Sequence, residues 1–294
     1  MAVWLEAALN GPWGRATQPG IPITVDEIVA DALACADAGA AIIHIHAYDV
    51  ETGRQKDDWQ IYARIIERVR ARRDVIIYPT LPLAGSPDAA RPLSPQARFA
   101  AVEALAERGL LEWSVVDPGS AGFARLDQLE GGTREGFLYE NPESHVRHGL
   151  ALCARYGIHP GYAIYEPGFL RTGAALARNL KAPRPVHRFM FSDGFGFGFP
   201  PRPYGLAAYL ALLDECDPGA PWMVAGLDVD VTGLIPMLAY LGGHLRCGLE
   251  DARFGEGRSN PALVADAVKA LRAEAAEPAN PADIRAALAG AMTA

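Results

Sequence analysis

Apolar runs of four to eight residues recur along the whole chain, at residues 3–9, 41–47, 75–81, 111–117, 159–166, 185–192, 222–228 and 245–250. Runs this short, bounded by turn residues, predict eight strands. Between them, apolar positions fall at helical spacing behind N-terminal caps: Thr24 with Glu27 as a capping box, Ser94 before Pro95, Asn141 before Pro142, and Ser259 opening the last long helix. Gly39, Gly109 and Gly157 stand where helices should stop. Strand alternating with helix eight times predicts a parallel sheet. Eight such units favour closure into an α/β (β/α)8 TIM barrel over an open doubly wound sheet.

The length of 294 residues accommodates one such barrel, so the expected organisation is a single domain over 1–294 with a helical extension at about 278–294. That extension either packs against a neighbouring subunit or closes one end of the barrel. The Gly-rich stretch 119–140, after the fourth strand, is expected to be a loop on the active face. A net charge of −8 without any basic run argues against nucleic acid and anionic membrane as partners and leaves a small molecule. The longest apolar stretch, 231–245, holds Pro236 and three glycines, and residues 1–11 carry Glu6 and no basic segment. Neither a transmembrane helix nor a signal peptide is expected. Cys35, Cys153, Cys216 and Cys247 are scattered and form no C-x-x-C, as in a reduced cytoplasmic enzyme.

Chemistry concentrates in Ile43-His44-Ile45-His46. Residues i and i+2 of a strand share a face, so both imidazoles point into the barrel while the isoleucines pack outward. A hydrogen-bonded pair of core histidines is the plainer alternative, but two together at the carboxyl end of an inner strand are costly without a shared partner, and a metal supplies one. Glu250 is the best third ligand. In residues 246–250 the positions of Arg246, Gly248 and Glu250 share one face, and strand eight lies one strand away from strand two around a closed barrel. Two histidines and one carboxylate leave a coordination position open, the catalytic pattern for zinc; non-haem iron takes the same ligands.

These segments resemble a known family. Ala7-Ala8-Leu9-Asn10-Gly11, Pro22-Ile23-Thr24 with Glu27, Ala38-Gly39-Ala40 leading to His44-Ile45-His46 and Asp49, residues 242–251, and the Asn280-Pro281-Ala282 and Arg285 segment together are similar to the β-keto acid cleavage enzymes. The resemblance implies a zinc-dependent barrel, one Zn2+ per chain, that converts a β-keto acid and acetyl-CoA as co-substrate into acetoacetate and a new acyl-CoA. It also implies a homo-oligomer, tetramer or dimer. Carried over by position, it makes His44, His46 and Glu250 the metal ligands and Arg246 with Asp251 an acid–base or orienting pair. A structural ion pair is the alternative for those last two.

The chain departs from the family at several positions. Tyr48 stands where Arg is common, and Thr80-Leu81-Pro82-Leu83 replaces a Ser-Thr-Gly-Gly run. Trp13 and Ala163 occupy the places of acidic residues that meet a substrate amine, so a non-aminated keto acid is expected. Thr80, Ser120, Tyr48 and Trp13 are the candidate substrate contacts. Residues 192–200, alternating Gly and Phe, read as a mobile lid or as a packed loop, and Asp228 and Asp230 as site carboxylates or as solvated loop residues. A metal-dependent aldolase or hydrolase without CoA, or a non-catalytic metal-containing binding protein, are the other functions this pattern allows.

Overall fold

The structure, a computed structural model, describes residues 1–83, 94–132 and 135–290. Eight parallel strands form the core: β1 (Leu5–Ala8), β2 (Ile42–Ile45), β3 (Ile76–Pro79), β4 (Trp113–Val115), β5 (His159–Ile164), β6 (Val186–Phe191), β7 (Trp222–Gly226) and β8 (His244–Cys247). All eight apolar runs became strands, because parallel strands buried on both faces need near-continuous apolar sequence. Each is followed by a helix: α1 (Val25–Ala38), α2 (Trp59–Arg70), α3 (Pro95–Ala106), α4 (Glu143–Tyr156), α5 (Gly168–Leu180), α6 (Pro203–Cys216), α7 (Ile235–Leu241) and α8 (Asn260–Ala273). The ladder runs β3-β2-β1-β8-β7-β6-β5-β4. Its two ends meet side by side, with the Tyr78 and Trp113 rings 5.9 Å apart, so the sheet is nearly closed as a TIM barrel.

Side-chain caps hold two of the four expected helix starts, and Ser259 heads α8 with no side-chain cap bond among the described residues. Thr24 and Glu27 cap each other reciprocally, and Ser94 accepts the Ala97 N–H at 3.1 Å. Asn141 departs from the expectation: its amide reaches back 2.9 Å to the Gly119 carbonyl, and Pro142 alone precedes α4. The stretch 119–140 is more than a loop. Ala121–Phe123 and Phe137–Tyr139 pair as an antiparallel hairpin, with a short helix at Leu126–Gly131 between them; residues 133–134 lie outside the described residues.

The C-terminal helix Pro281–Gly290 covers the amino-terminal end of the barrel. Ile284 and Leu288 are buried there, while Arg285 spans the β3–β4 seam, reaching Asp74 before β3 and Glu112 before β4. Residues 291–294 of the expected extension lie outside the described residues. Among the described residues no helix is long and apolar enough to cross a membrane.

His244, at this same end, stacks on Trp4 at 4.1 Å and accepts the Trp4 backbone N–H on Nδ1 at 3.2 Å. Burial pushes its pKa down from 6.5 to about 3. The folded chain therefore refuses a proton that the unfolded chain takes below pH 6.5, so stability is full above that pH and declines as the pH falls toward 3. His244→Asn keeps an acceptor for Trp4 and cannot titrate. Between pH 7 and pH 5 the native protein should lose about 2 kcal/mol more than this variant, at about 1.4 kcal/mol per pH unit below 6.5. Urea midpoints at the two pH values measure the difference, and equal losses would remove His244 from the acid sensitivity.

Candidate active site

The strand alternation read from the sequence places both imidazoles inside. Ala8, His44 and Tyr78 lie side by side on β1, β2 and β3, and His44 and His46 are both buried. The chain after β8 bends at Gly248, whose φ is +135° and where a Cβ would stand 2.1 Å from the Ala8 carbonyl oxygen. Only glycine fits so close to another backbone. The bend delivers Glu250 over the two histidines: its Oε2 is 3.6 Å from His44 Nε2 and 3.4 Å from His46 Nε2. One donor atom from each residue lies within 4.8 Å of the others. Trp13 holds Glu250 from the other side, its indole N–H donating to the Glu250 carbonyl at 2.9 Å.

His46 is fixed by a residue the sequence reading passed over. Gln55 lies on the short hairpin Tyr48–Asp49 with Arg54–Gln55, and its Oε1 is 2.8 Å from His46 Nδ1. The Gln55 amide nitrogen donates to both Asp57 oxygens, at 2.8 and 3.0 Å, and to the Leu81 carbonyl at 3.2 Å. Tyr62 donates to Asp57 at 2.9 Å. With Nδ1 donating to Gln55, His46 turns a bare Nε2 toward Glu250. Neither His46 Nε2 nor Glu250 Oε2 has a hydrogen-bond partner among the described residues. Two buried acceptors at 3.4 Å repel unless a proton or a cation stands between them, so the donor set fits a divalent cation.

Charge in the barrel points the same way. Arg246 pairs with Glu250 at 2.8 Å, grips Asp251 through Nη2 and Nε at 2.6 and 2.9 Å, and lies 3.4 Å from Glu6. Arg188 also lies 3.4 Å from Glu6, and Tyr78 donates to Glu6 at 2.6 Å. Glu6, Asp117, Glu250 and Asp251 thus face three guanidiniums, Arg98 and Arg188 offsetting Asp117, which leaves one negative charge in excess in a largely buried site. Burial raises the Asp251 carboxyl to about 6 against the pull of Arg246, with Glu250 and Glu6 adding to the rise. Burial would raise Glu250 as well, but Arg246 and the two imidazoles hold it well below the usual carboxylate range. His44 is held well below 6.5, first by burial, with Glu250 pulling the other way and Arg246, His46 and Arg188 adding to the fall.

His44, His46, Asp117, Arg188, Arg246, Glu250 and Asp251 line one cavity at the carboxyl-terminal end of the strands, with Glu6 and Tyr78 buried outside its lining. Of the candidate substrate contacts, Trp13 and Thr80 are on its wall, with Leu81 and Ala163. Tyr48 and Ser120 are not. β2 ends at Ile45 and the chain turns into the hairpin, so the alternation that would aim Tyr48 inward has stopped; it packs with Ile21, Leu249 and Leu263 and donates to the Gly11 carbonyl. Ser120 lies beyond the turn after β4, exposed, with its hydroxyl accepting the Asn141 N–H at 2.8 Å. The cavity position near it belongs to Asp117, which accepts the Ala163 N–H at 2.7 Å and the Tyr139 hydroxyl at 2.8 Å.

Residues 192–200 are packed. Phe195 and Phe197 are buried around Phe123, and Ser192 accepts the N–H groups of Gly194 and Phe195. Asp228 is spent on Arg125 at 2.5 Å and on the Phe254 N–H at 2.8 Å, and Asp230 on Thr232.

The sequence model for the family described as beta-keto acid cleavage enzyme matches residues 2–289. Among curated relatives, the 3-keto-5-aminohexanoate cleavage enzyme of Fusobacterium nucleatum subsp. nucleatum is 25% identical over 273 residues, 91% of this chain and 90% of that protein. The 3-oxoadipate:acetyl-CoA acetyltransferase of Cupriavidus necator is 30% identical over 254 residues, 84% of this chain and 79% of that protein. In fold, the chain is similar to the solved binary complex of ObcA with oxaloacetate, with a TM-score of 0.71 at 15% identity over 92% of this chain and 67% of that one. The family match runs through every strand of the barrel and into the C-terminal helix, and the chain belongs to the beta-keto acid cleavage enzyme family.

Proposed function

We propose that the protein cleaves a non-aminated β-keto acid with acetyl-CoA, giving acetoacetate and a new acyl-CoA. The observation that carries this is the placement of two facing acceptors, His46 Nε2 and Glu250 Oε2, beside the Arg246–Asp251 pair in one cavity. In this reaction the keto acid's C2 becomes bonded to the acetyl carbon, the thioester C–S bond breaks, and C2–C3 then breaks as the thiol sulfur bonds C3. A proton must therefore leave C2 first.

Asp251 is the base, held in place by Arg246, which also faces the negative charge that grows on the carbonyl oxygens. Thr80, whose hydroxyl among the described residues makes a 3.4 Å contact to the Leu81 carbonyl, can turn to donate to a substrate oxygen. Leu81, Leu83, Val115, Met190 and Leu227 keep water from the thioester. A divalent cation, zinc by ligand type, held by His44, His46 and Glu250 supplies Lewis-acid polarisation of a carbonyl oxygen when bound.

The side-chain end of the cavity sets the substrate. Trp13 and Ala163 offer no charge, and both oxygens of Asp117 already accept hydrogen bonds, its charge being offset by Arg188 and Arg98. A substrate ammonium buried here would find no spare counter-ion, at a cost of several kcal/mol. A panel of β-keto acids with acetyl-CoA, scored by acyl-CoA formation, should show a neutral acid turning over at least about tenfold faster than an aminated one of equal length, tenfold corresponding to about 1.4 kcal/mol. A preference for the aminated acid would make Asp117 a counter-ion. No acyl-CoA from any member of the panel would end the CoA-dependent reading.

A further inference from the structure

We propose that Gln55 is a positioning residue that sets the tautomer of His46 and with it the cation affinity of the site. An amide side chain can be turned end for end, and here the surroundings decide which way. If the Gln55 amide were reversed, its oxygen would face both carboxylate oxygens of Asp57 and the Leu81 carbonyl, three acceptors with no proton among them. As it stands, the nitrogen donates to all three and Oε1 is left to accept from His46 Nδ1 at 2.8 Å. Nδ1 must then carry the ring proton, and Nε2 presents its lone pair toward Glu250. Asp57, itself held by Tyr62, adds electron density to the imidazole through Gln55. His44 has no such support, since its Nδ1 has no hydrogen-bond partner among the described residues. Gln55 therefore makes His46 the better-fixed of the two imidazole ligands.

The proposal rests on the cation assignment above, and its test separates the two. Gln55→Met keeps the side chain's length and removes the acceptor. In competition against a chelator, zinc should bind this variant about 10- to 100-fold more weakly than the native protein. Asp57→Asn, which offers donors of its own and lets the amide turn, should weaken binding in the same direction. In chelator-stripped protein, the imidazole nitrogen resonances of His46 should report a proton on Nδ1, and in Gln55→Met a mixture of tautomers, a change that loss of mere packing would not produce. Native zinc affinity in Gln55→Met, or a native His46 protonated on Nε2, overturns the role of Gln55. If the native protein itself binds no zinc, the cation assignment falls, and the tautomer measurement still decides for or against Gln55.

Discussion

Asp251→Asn lowers turnover by about 10²- to 10⁴-fold while the protein keeps its cation, the range expected when a positioned base is removed. The substitution keeps the shape of the side chain and its contact with Arg246, so a fall in rate reports the lost proton acceptor. The fold should survive, because Arg246 retains Glu250 at 2.8 Å and Glu6 at 3.4 Å and is not left as a lone buried charge. The three ligand side chains are untouched. Steady-state kinetics with the best keto acid, alongside metal content per chain, are the measurements. A variant of native activity would show that the C2 proton goes elsewhere, and the Arg246–Asp251 pair would revert to a structural ion pair. A variant that loses both activity and metal would make Asp251 a support for the ligands.

Much of the barrel was legible because buried parallel strands leave little freedom: each apolar run of residues 3–9 through 245–250 had to be covered on both faces. The histidine pair was legible for the same reason, since the two-residue period of an inner strand fixes which side His44 faces and carries one residue past the strand's end to His46. Glu250 was reached by way of the neighbouring strands, although its delivery depends on a bend at Gly248 and not on the straight alternation of 246, 248 and 250. Tyr48 was misplaced by carrying over a family position into a chain that turns into the hairpin after Ile45. Ser120 was misplaced by carrying a position over through a turn.

The residues that were missed divide by the signal they left. Glu6 and Arg188 are charges inside otherwise apolar runs, and a buried charge in a strand announces a partner on the facing strands. Here they meet each other and Tyr78. Asp117, the last residue of the fourth run, falls where barrel enzymes keep their site groups. Gln55 and Asp57 left no signal at all. They lie in a polar connection that any surface loop could contain, and only the hairpin, folding back across the end of β2, brings them to His46. Periodicity locates what points out of an element; it says nothing of what a turn carries back.

His46→Ala abolishes cation binding that the native protein shows at about one divalent ion per chain. Each ligand of a three-residue site carries a large share of the affinity, because the remaining two cannot close around the ion and water must replace the third. In this barrel the loss runs further. Glu250 would keep Arg246 at 2.8 Å and swing toward it, since the His46 lone pair that faces it is gone. His44, 3.6 Å away and with no partner on Nδ1 among the described residues, would remain the single imidazole. The one excess negative charge among Glu6, Asp117, Glu250 and Asp251 would then have to be met by a proton. Asp251, already raised to about 6, is placed to take it. The expected result is therefore a folded protein without metal and without activity, read by elemental analysis of the purified chain and by the acyl-CoA assay. Equal metal occupancy in native protein and variant would mean that His46 is no ligand, and the site built on His44, His46 and Glu250 would have to be given up.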